Sequence, residues 1–250
     1  PTYSVEVSTM VVSSSSSIKG SPVMGLIDKC LAAANMTDCS PNQIPASPSP
    51  LGSDPDGPLM TETWSYPSIV GMLMYLATNT RHDIQFAVSQ VCRFTSNPKQ
   101  SHATAVKTIL RYLKRTRLFG TIMKPSGKLD LDLYVDADFA GLYKQDPDEF
   151  PSSAKSRTGY IIRLAGAPLV WKSKLQTEIS LSTLESEYSA LSQAMRQLIP
   201  IRLLIIELLA VIDDRESLKS SISCTVFEDN NGALALATNQ RITARTKYFH

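Results

Sequence analysis

The spacing of apolar positions changes period part-way along the chain, and the change divides it into a helical half and a mixed half. Between residues 65 and 117 apolar side chains recur about every 3.6 residues, the helical period. Tyr66, Ile69, Val70, Leu73 and Leu76 mark one predicted helix. Ile84, Ala87, Val88, Val91 and Cys92 mark a second, over Asp83 to Phe94. Val106, Ile109, Leu110 and Leu113 mark a third, from about Ser101 to Thr116, after a break at Asn97-Pro98. From Leu129 the period becomes two. Leu129, Leu131, Leu133 and Val135 alternate with Asp130, Asp132, Tyr134 and Asp136, which predicts a half-buried strand ending at Asp136. Thr158 to Leu164 and Pro168 to Lys174 predict two more strands, joined at Ala165-Gly166-Ala167. A long helix starts near Thr183, and Pro200 predicts a kink or break in it. Thr225 to Phe227 reads as a short strand and Asn231 to Asn239 as a helix, with Gly232 near its start. This order predicts an α/β domain: a three-strand meander, then a helical crossover to a parallel fourth strand.

Residues 1 to about 60 carry weaker signals. Ser13 to Ser17 is a homopolymer run, and Pro41, Pro45, Pro48, Pro50, Pro55 and Pro58 lie among Ser, Gly and Asp. Such composition reads as disordered linker, with one short helix between, at Val23 to Asn35. The chain begins at Pro1 and is expected to be a piece of a longer product. At 250 residues, 43% hydrophobic and 19% charged, it has ordinary globular composition, which excludes global disorder, collagen and coiled coil. Leu198 to Ile212 is the most apolar stretch, but Pro200, Arg202 and Glu207 interrupt it, so no membrane span is expected. Cys30, Cys39, Cys92 and Cys224 form no CxxC pair, and His82, His102 and His250 are far apart. That argues against a zinc site or a disulfide scaffold and fits a reducing compartment.

The net charge of +2 is uninformative; its distribution is not. From Ile84 to Leu129 there is no Asp or Glu, while Arg93, Lys99, Lys107, Arg111, Lys114, Arg115, Arg117, Lys124 and Lys128 all fall there. Lys107, Arg111, Lys114 and Arg115 lie at helical spacing on the polar side of the third helix. From Asp130 to Glu149 the sign reverses, with Asp130, Asp132, Asp136, Asp138, Asp146, Asp148 and Glu149 against Lys144. A basic segment suits a nucleic-acid backbone, and carboxylates suit divalent cations. The plain alternative is two solvated faces.

Three acidic residues occupy places where α/β folds gather chemistry: Asp136 at a strand end, Glu187 in the first turns of the long helix, and Asp229 at the end of the last strand. Carboxylates meeting there can hold two divalent ions for phosphodiester hydrolysis. Each has a plain reading too. Asp130, Asp132, Asp136 and Asp138 share one strand face. Asp229 is equally suited to cap the following helix, and Glu187 could be a solvated glutamate. Ser182-Thr183-Leu184-Glu185 fits a capping box, with Glu185 returning to the Ser182 amide. Taking Leu184 as reference at about 100° per residue, Glu187 lies roughly 60° away on the flank of the apolar stripe and Glu185 about 100° away on the other side. Glu187 is therefore the one nearer the sheet.

The segments YVDADFAG (134–141), RTGYIIRLAGAPLVWKSKLQ (157–176), SLSTLESEYSALS (180–192), EDNNGALALATN (228–239) and RTKYFH (245–250) resemble the ribonuclease H region of copia-type LTR retrotransposon Pol polyproteins. YPSIVGMLMYLATNTRHDIQFAVSQVCRF (66–94) and AVKTILRYLKRTRLFG (105–120) resemble the connection that precedes it, and IDKCLAAANMTDCSP (27–41) the end of the reverse transcriptase. The resemblance implies a ribonuclease H-like mixed sheet with flanking helices. Its implied layout is a reverse-transcriptase tail and linker over 1–60, a basic helical connection over 61–128, and a ribonuclease H-like domain, truncated at its C-terminal end, over 129–250. The implied activity is cleavage of the RNA strand of RNA–DNA hybrids with two Mg²⁺ ions, Mn²⁺ being able to substitute. The family's first Asp falls on Asp136, its Glu on Glu187 and its third Asp on Asp229. Its fourth position, three residues after Arg245-Thr246-Lys247, falls on His250, which can ligate a metal or shuttle protons. Lys107, Arg111, Lys114, Arg115, Lys172 and Lys174 are the expected phosphate contacts. The implied partners are the hybrid and the rest of the polyprotein, reverse transcriptase and integrase. The implied location is a cytoplasmic virus-like particle or the nucleus. The paired Asp motif of a polymerase is absent from the sequence, so no DNA synthesis is expected. The competing expectation is an inactive remnant that binds nucleic acid or serves as a structural fragment.

Overall fold

In the computed structural model, residues 22–121, 129–143, 151–212 and 222–238 are described. The chain divides into two units, 1–122 and 123–250.

In the first unit, α1 (Pro22–Ala33), α2 (Tyr66–Asn79), α3 (Gln85–Val91) and α4 (Gln100–Arg115) surround one apolar core. The second predicted helix is divided: 3-10 turns at His82–Ile84 and Cys92–Phe94 flank a short α3. The predicted apolar stripes are the buried ones, with Ile69, Leu73 and Leu76 of α2 and Val106, Ile109, Leu110 and Leu113 of α4 all at the core.

The expectation of a linker up to residue 60 is corrected for residues 22–60. Ile27, Cys30, Leu31, Ala34 and Met36 are buried in the same core, as is Trp64 just beyond. The proline-rich stretch runs over the helices and finds its hydrogen bonds there. Leu51 N donates to Gln90 Oε1 (2.6 Å), Asn42 N to the Arg111 carbonyl (3.2 Å), and Lys99 Nζ to the carbonyls of Pro55 and Gly57. Buried His102 accepts from Lys99 N through Nδ1 (2.9 Å), so its Nε2 carries the proton donated to the Gly52 carbonyl (3.0 Å). Prolines remove backbone donors, and long polar side chains from α3 and α4 satisfy what remains.

In the second unit, β1 (Leu131–Asp138), β2 (Arg157–Leu164), β3 (Ala167–Leu175) and β4 (Cys224–Phe227) form a sheet in the order β3-β2-β1-β4. The first three strands are an antiparallel meander, and β4 joins β1 in parallel. The β2–β3 turn has positive φ at Ala165 (51°) and Gly166 (83°), as a two-residue hairpin with native twist requires. Ala167 already pairs with Leu164. The crossover is α5 (Thr183–Ile212), and α6 (Asn231–Thr238) follows β4.

Leu131, Leu133, Val135 and Ala137 of β1, with Tyr160 and Ile162 of β2, are buried in one cluster with Ala190, Leu191, Ala194 and Leu198 of α5. Two boundaries differ from expectation. β1 continues two residues past Asp136, because Ala137 and Asp138 still pair with Thr158 and Arg157. α5 is one helix of 30 residues with Pro200 inside it. Proline removes one hydrogen bond there, but Leu198 before it and Ile201, Ile205, Ile206 and Leu209 after it pack into one cluster. That shared burial outweighs the lost bond. The result is the mixed α/β sheet with flanking helices expected of a ribonuclease H-like fold.

Candidate metal centre

β1, the start of α5 and the end of β4 bring Asp136, Glu187 and Asp229 together. One carboxylate oxygen from each lies within 4.8 Å of the others. Asp136 and Asp229 are exposed, whereas Glu187 is 4% exposed.

The local sequence explains each placement. Val135 and Ala137 hold β1 to the core, which presents Asp136 on the alternate positions. At the start of α5, Glu185 N donates to Ser182 Oγ (3.2 Å), and Glu185 Oε2 accepts from Leu181 N (2.6 Å), one residue before the Ser182 amide of the expected box. Glu185 is thus occupied in capping, and Glu187 is the glutamate that reaches the sheet. Buried Gln176, unnoticed in the sequence, fixes this turn. Its Nε2 donates to Thr158 Oγ1 (3.1 Å) and to the Ser186 carbonyl (2.9 Å), and its Oε1 accepts from Ser180 Oγ (3.0 Å). After β4, Asn230 caps α6, its Oδ1 accepting from Ala233 N (3.0 Å). The cap is Asn230, which leaves Asp229 uncommitted. A β-carbon at Gly232 would stand 2.5 Å from Leu184 Cδ1, so the absence of a side chain lets α6 approach the first turn of α5.

A second missed residue is Glu228. Its Oε1 accepts from Asn230 N (3.2 Å). Burial, and then the neighbouring charges of Asp229 and Asp136, push its carboxyl up to about 7 against the Asn230 amide. Burial, followed by the charges of Glu228, Asp136 and Asp229, pushes Glu187 up to about 8. Asp136 is also raised, by burial first and by Asp229 next. The Ala137 backbone amide acts the other way on both Asp136 and Glu187. Crowded carboxylates disfavour their own ionisation, and a divalent cation removes that penalty. Glu187 Oε2 is buried without a hydrogen-bond partner, and a metal ion suits such an oxygen. The residues present therefore fit divalent cations held by oxygen.

The expected phosphate contacts fare differently. Lys107 pairs with Glu62, Arg111 Nε donates to the Ser40 carbonyl (2.7 Å), and Lys114 Nζ donates to the carbonyls of Thr37 (2.6 Å) and Cys39 (2.7 Å). These three cations fasten the segment from Thr37 to Glu62 onto α4 and do not form a free basic face. Arg115 is exposed. Lys172 and Lys174 are exposed on edge strand β3, opposite Tyr160 and Thr158, hence in the rows of Val135 and Ala137. The Asp136 row runs instead through Gly159 to Ser173. The two lysines therefore project to the sheet face opposite the Asp136 row. His250 lies outside the described residues. Among the described residues, no helix is long and apolar enough to cross a membrane.

The mixed sheet, its order and its helical crossover are consistent with a ribonuclease H-like fold. Comparison with known proteins gives the family. The chain is 34% identical over 218 residues to the retrovirus-related Pol polyprotein from transposon RE1 of Arabidopsis thaliana, covering 87% of this chain and 14% of that one. It is 38% identical over 183 residues to the Pol polyprotein from transposon TNT 1-94 of Nicotiana tabacum, covering 73% and 12%. It is also 39% identical over 132 residues to Secreted RxLR effector protein 161 of Plasmopara viticola, covering 53% of this chain and 87% of that protein. No protein-family model and no solved structure matches the chain. The chain belongs to the retrovirus-related Pol polyproteins of copia-type transposons. It spans about a seventh of the length of the RE1 polyprotein.

Proposed function

We propose that the second unit is a Mg²⁺-dependent endonuclease that cleaves the RNA strand of RNA–DNA hybrids during retrotransposon reverse transcription. The observation that carries this reading is the meeting of Asp136, Glu187 and Asp229 oxygens within 4.8 Å, one of those residues being buried. Asp136, Glu187 and Asp229 would hold the ions. Mg²⁺ held there, replaceable by Mn²⁺, would supply activation of a water and charge stabilisation of the leaving oxygen in phosphodiester hydrolysis.

The chain's own residues supply the frame. Gln176 and the Ser182–Glu185 cap hold the first turns of α5, so Glu187 is presented without a large loss of side-chain entropy on binding. Asp136 rides on a strand paired on both sides, and Asp229 lies between β4 and the capped start of α6. Arg115 is exposed for backbone phosphates. Lys172 and Lys174 serve only a substrate that extends past the β3 edge. The other portions of the polyprotein, reverse transcriptase and integrase, are the proposed partners, in a virus-like particle or the nucleus.

A second reading, a nucleic-acid-binding fragment without turnover, draws on one observation: the matched stretch makes up 87% of a short relative, Secreted RxLR effector protein 161. One assay separates the two. A labelled RNA–DNA hybrid is incubated with the protein and Mg²⁺. Cutting of the RNA strand by the wild type, falling by more than about 100-fold in Asp136→Asn and Asp229→Asn, is expected. Salt-sensitive binding without Mg²⁺-dependent cutting would favour the second reading. Equal cutting by the wild type and both variants would refute the site.

A further inference from the structure

Gln176 directly follows the last residue of β3, and its side chain joins two elements beside the carboxylates. The residue is 4% exposed. Nε2 donates to Thr158 Oγ1 on β2 (3.1 Å) and to the Ser186 carbonyl on α5 (2.9 Å), and Oε1 accepts from Ser180 Oγ (3.0 Å). Its backbone N donates to the Ser156 carbonyl (2.8 Å), which carries the pairing of β2 with β3 one residue further and fixes where the side chain starts. Thr158, Ser180 and Ser186 are buried as well. The Ser186 carbonyl can only accept, so the amide nitrogen must face it, and the side chain has one orientation.

The two ends of this bridge lie next to two of the three carboxylates. Thr158 is paired with Ala137, the residue after Asp136, and Ser186 is the residue before Glu187. The core between β1 and α5 is apolar, with Leu133, Val135 and Ala137 clustered with Ala190, Leu191 and Ala194. Apolar packing is non-directional, whereas a buried amide with its donors and acceptor engaged holds fixed distances. Mg²⁺ demands near-octahedral oxygens at about 2.0–2.1 Å, and Ca²⁺ accepts six to eight oxygens at about 2.3–2.6 Å in flexible geometry, so the rigidity of a carboxylate set decides between them.

We infer that Gln176 is a positioning residue that sets the spacing of Asp136 and Glu187 by tying β2 to α5, and so tunes the centre to small octahedral ions over Ca²⁺. The inference rests on the metal centre proposed above and goes beyond it in naming what selects the ion. An amide that served the fold alone would lower stability and leave the ranking of ions unchanged.

The test is Mn²⁺ binding to the full chain, followed by loss of the free-ion electron paramagnetic resonance signal, with Mg²⁺ and Ca²⁺ as competitors. Wild type is compared with Gln176→Met, which nearly keeps the volume and removes the amide, with Thr158→Val, which removes only the β2 anchor, and with Asp136→Asn. Ile162→Val, in the same core, controls for lost stability. Circular dichroism confirms which variants fold, and either Gln176→Met or Thr158→Val suffices. In Gln176→Met, affinity for Mn²⁺ and Mg²⁺ should fall at least about 10-fold and affinity for Ca²⁺ less than about 3-fold. Thr158→Val should shift the ions in the same order, and Ile162→Val should keep wild-type affinities. Wild-type affinities in a folded Gln176→Met or Thr158→Val, equal losses for Mg²⁺ and Ca²⁺, or the same shift in Ile162→Val would overturn the role of Gln176. A loss of Mn²⁺ binding in Asp136→Asn would then leave the three-carboxylate centre standing. Wild-type affinity in Asp136→Asn, or no Mn²⁺ binding by the wild type, would overturn the centre and the inference together.

Discussion

Glu187 shows what can be read from a single residue and what cannot. Its angular place beside the apolar stripe of α5 separates it from Glu185, and the capping geometry keeps Glu185 at the helix start. Glu228 was not legible, because alternation along a strand assigns neighbours to opposite faces. Only in the folded turn does the Asn230 amide donate back to Glu228 Oε1. The sheet face of Lys172 and Lys174 was not legible for a related reason. Their parity relative to Asp136 depends on two successive strand registers, fixed by the two-residue turn at Ala165-Gly166. The pH dependence belongs to this scale. Glu187 holds its proton up to about 8 in the folded protein, against an ordinary value of 4.5. Its contribution to stability is therefore full below the ordinary value and is lost as pH rises through about 8. Metal-free protein should show a urea midpoint that falls between about pH 4.5 and about pH 8 and levels off above that. Added Mg²⁺ displaces the proton, so the stabilisation it gives should grow over the same interval. A midpoint that rises with pH in metal-free buffer would contradict the burial of Glu187.

Helix α4 shows how an element-level pattern was half right. Its apolar stripe is the buried one, but the cations opposite it hold the Thr37–Glu62 segment. The sequence gives no sign of this, because proline-rich segments look alike whether they are free or laid across a helix. Arg115→Gln should lower the slope of log affinity against log salt for an RNA–DNA hybrid by about 1, measured by fluorescence anisotropy. Lys114→Gln should leave that slope unchanged and lower the stability of the first unit. The opposite assignment would restore the basic-face reading of α4. The link between α2 and α4 is also side-chain chemistry. Arg81, 1% exposed, grips Asp83 through Nε and Nη2, and Thr116 through Nη1 and Nη2, while the Tyr112 hydroxyl donates to Asp83 (2.8 Å). Burial acts to raise the Asp83 carboxyl, and Arg81 and Tyr112 outweigh it and hold it below its ordinary value. Removing Arg81 leaves that carboxylate unpaired. Arg81→Ala should cost about 3 kcal/mol in urea unfolding of the first unit; a change under about 1 kcal/mol would show the network to be peripheral.

For the whole molecule, the order of strands and helices was legible because period two and period 3.6 alternate cleanly after Leu129, and right-handed crossover rules then leave few topologies. The division of the chain was less so. A boundary near residue 60 was drawn from composition, whereas the first unit continues to residue 122 and includes α1. The central claim concerns three elements, β1, α5 and β4, that meet at one carboxylate cluster. A crystal of the full chain soaked in Mn²⁺ tests it most directly. Two anomalous peaks touching the oxygens of Asp136, Glu187 and Asp229 are the predicted result. Ordered carboxylates with Mn²⁺ bound only elsewhere, or with the three side chains turned into separate surroundings, would contradict it.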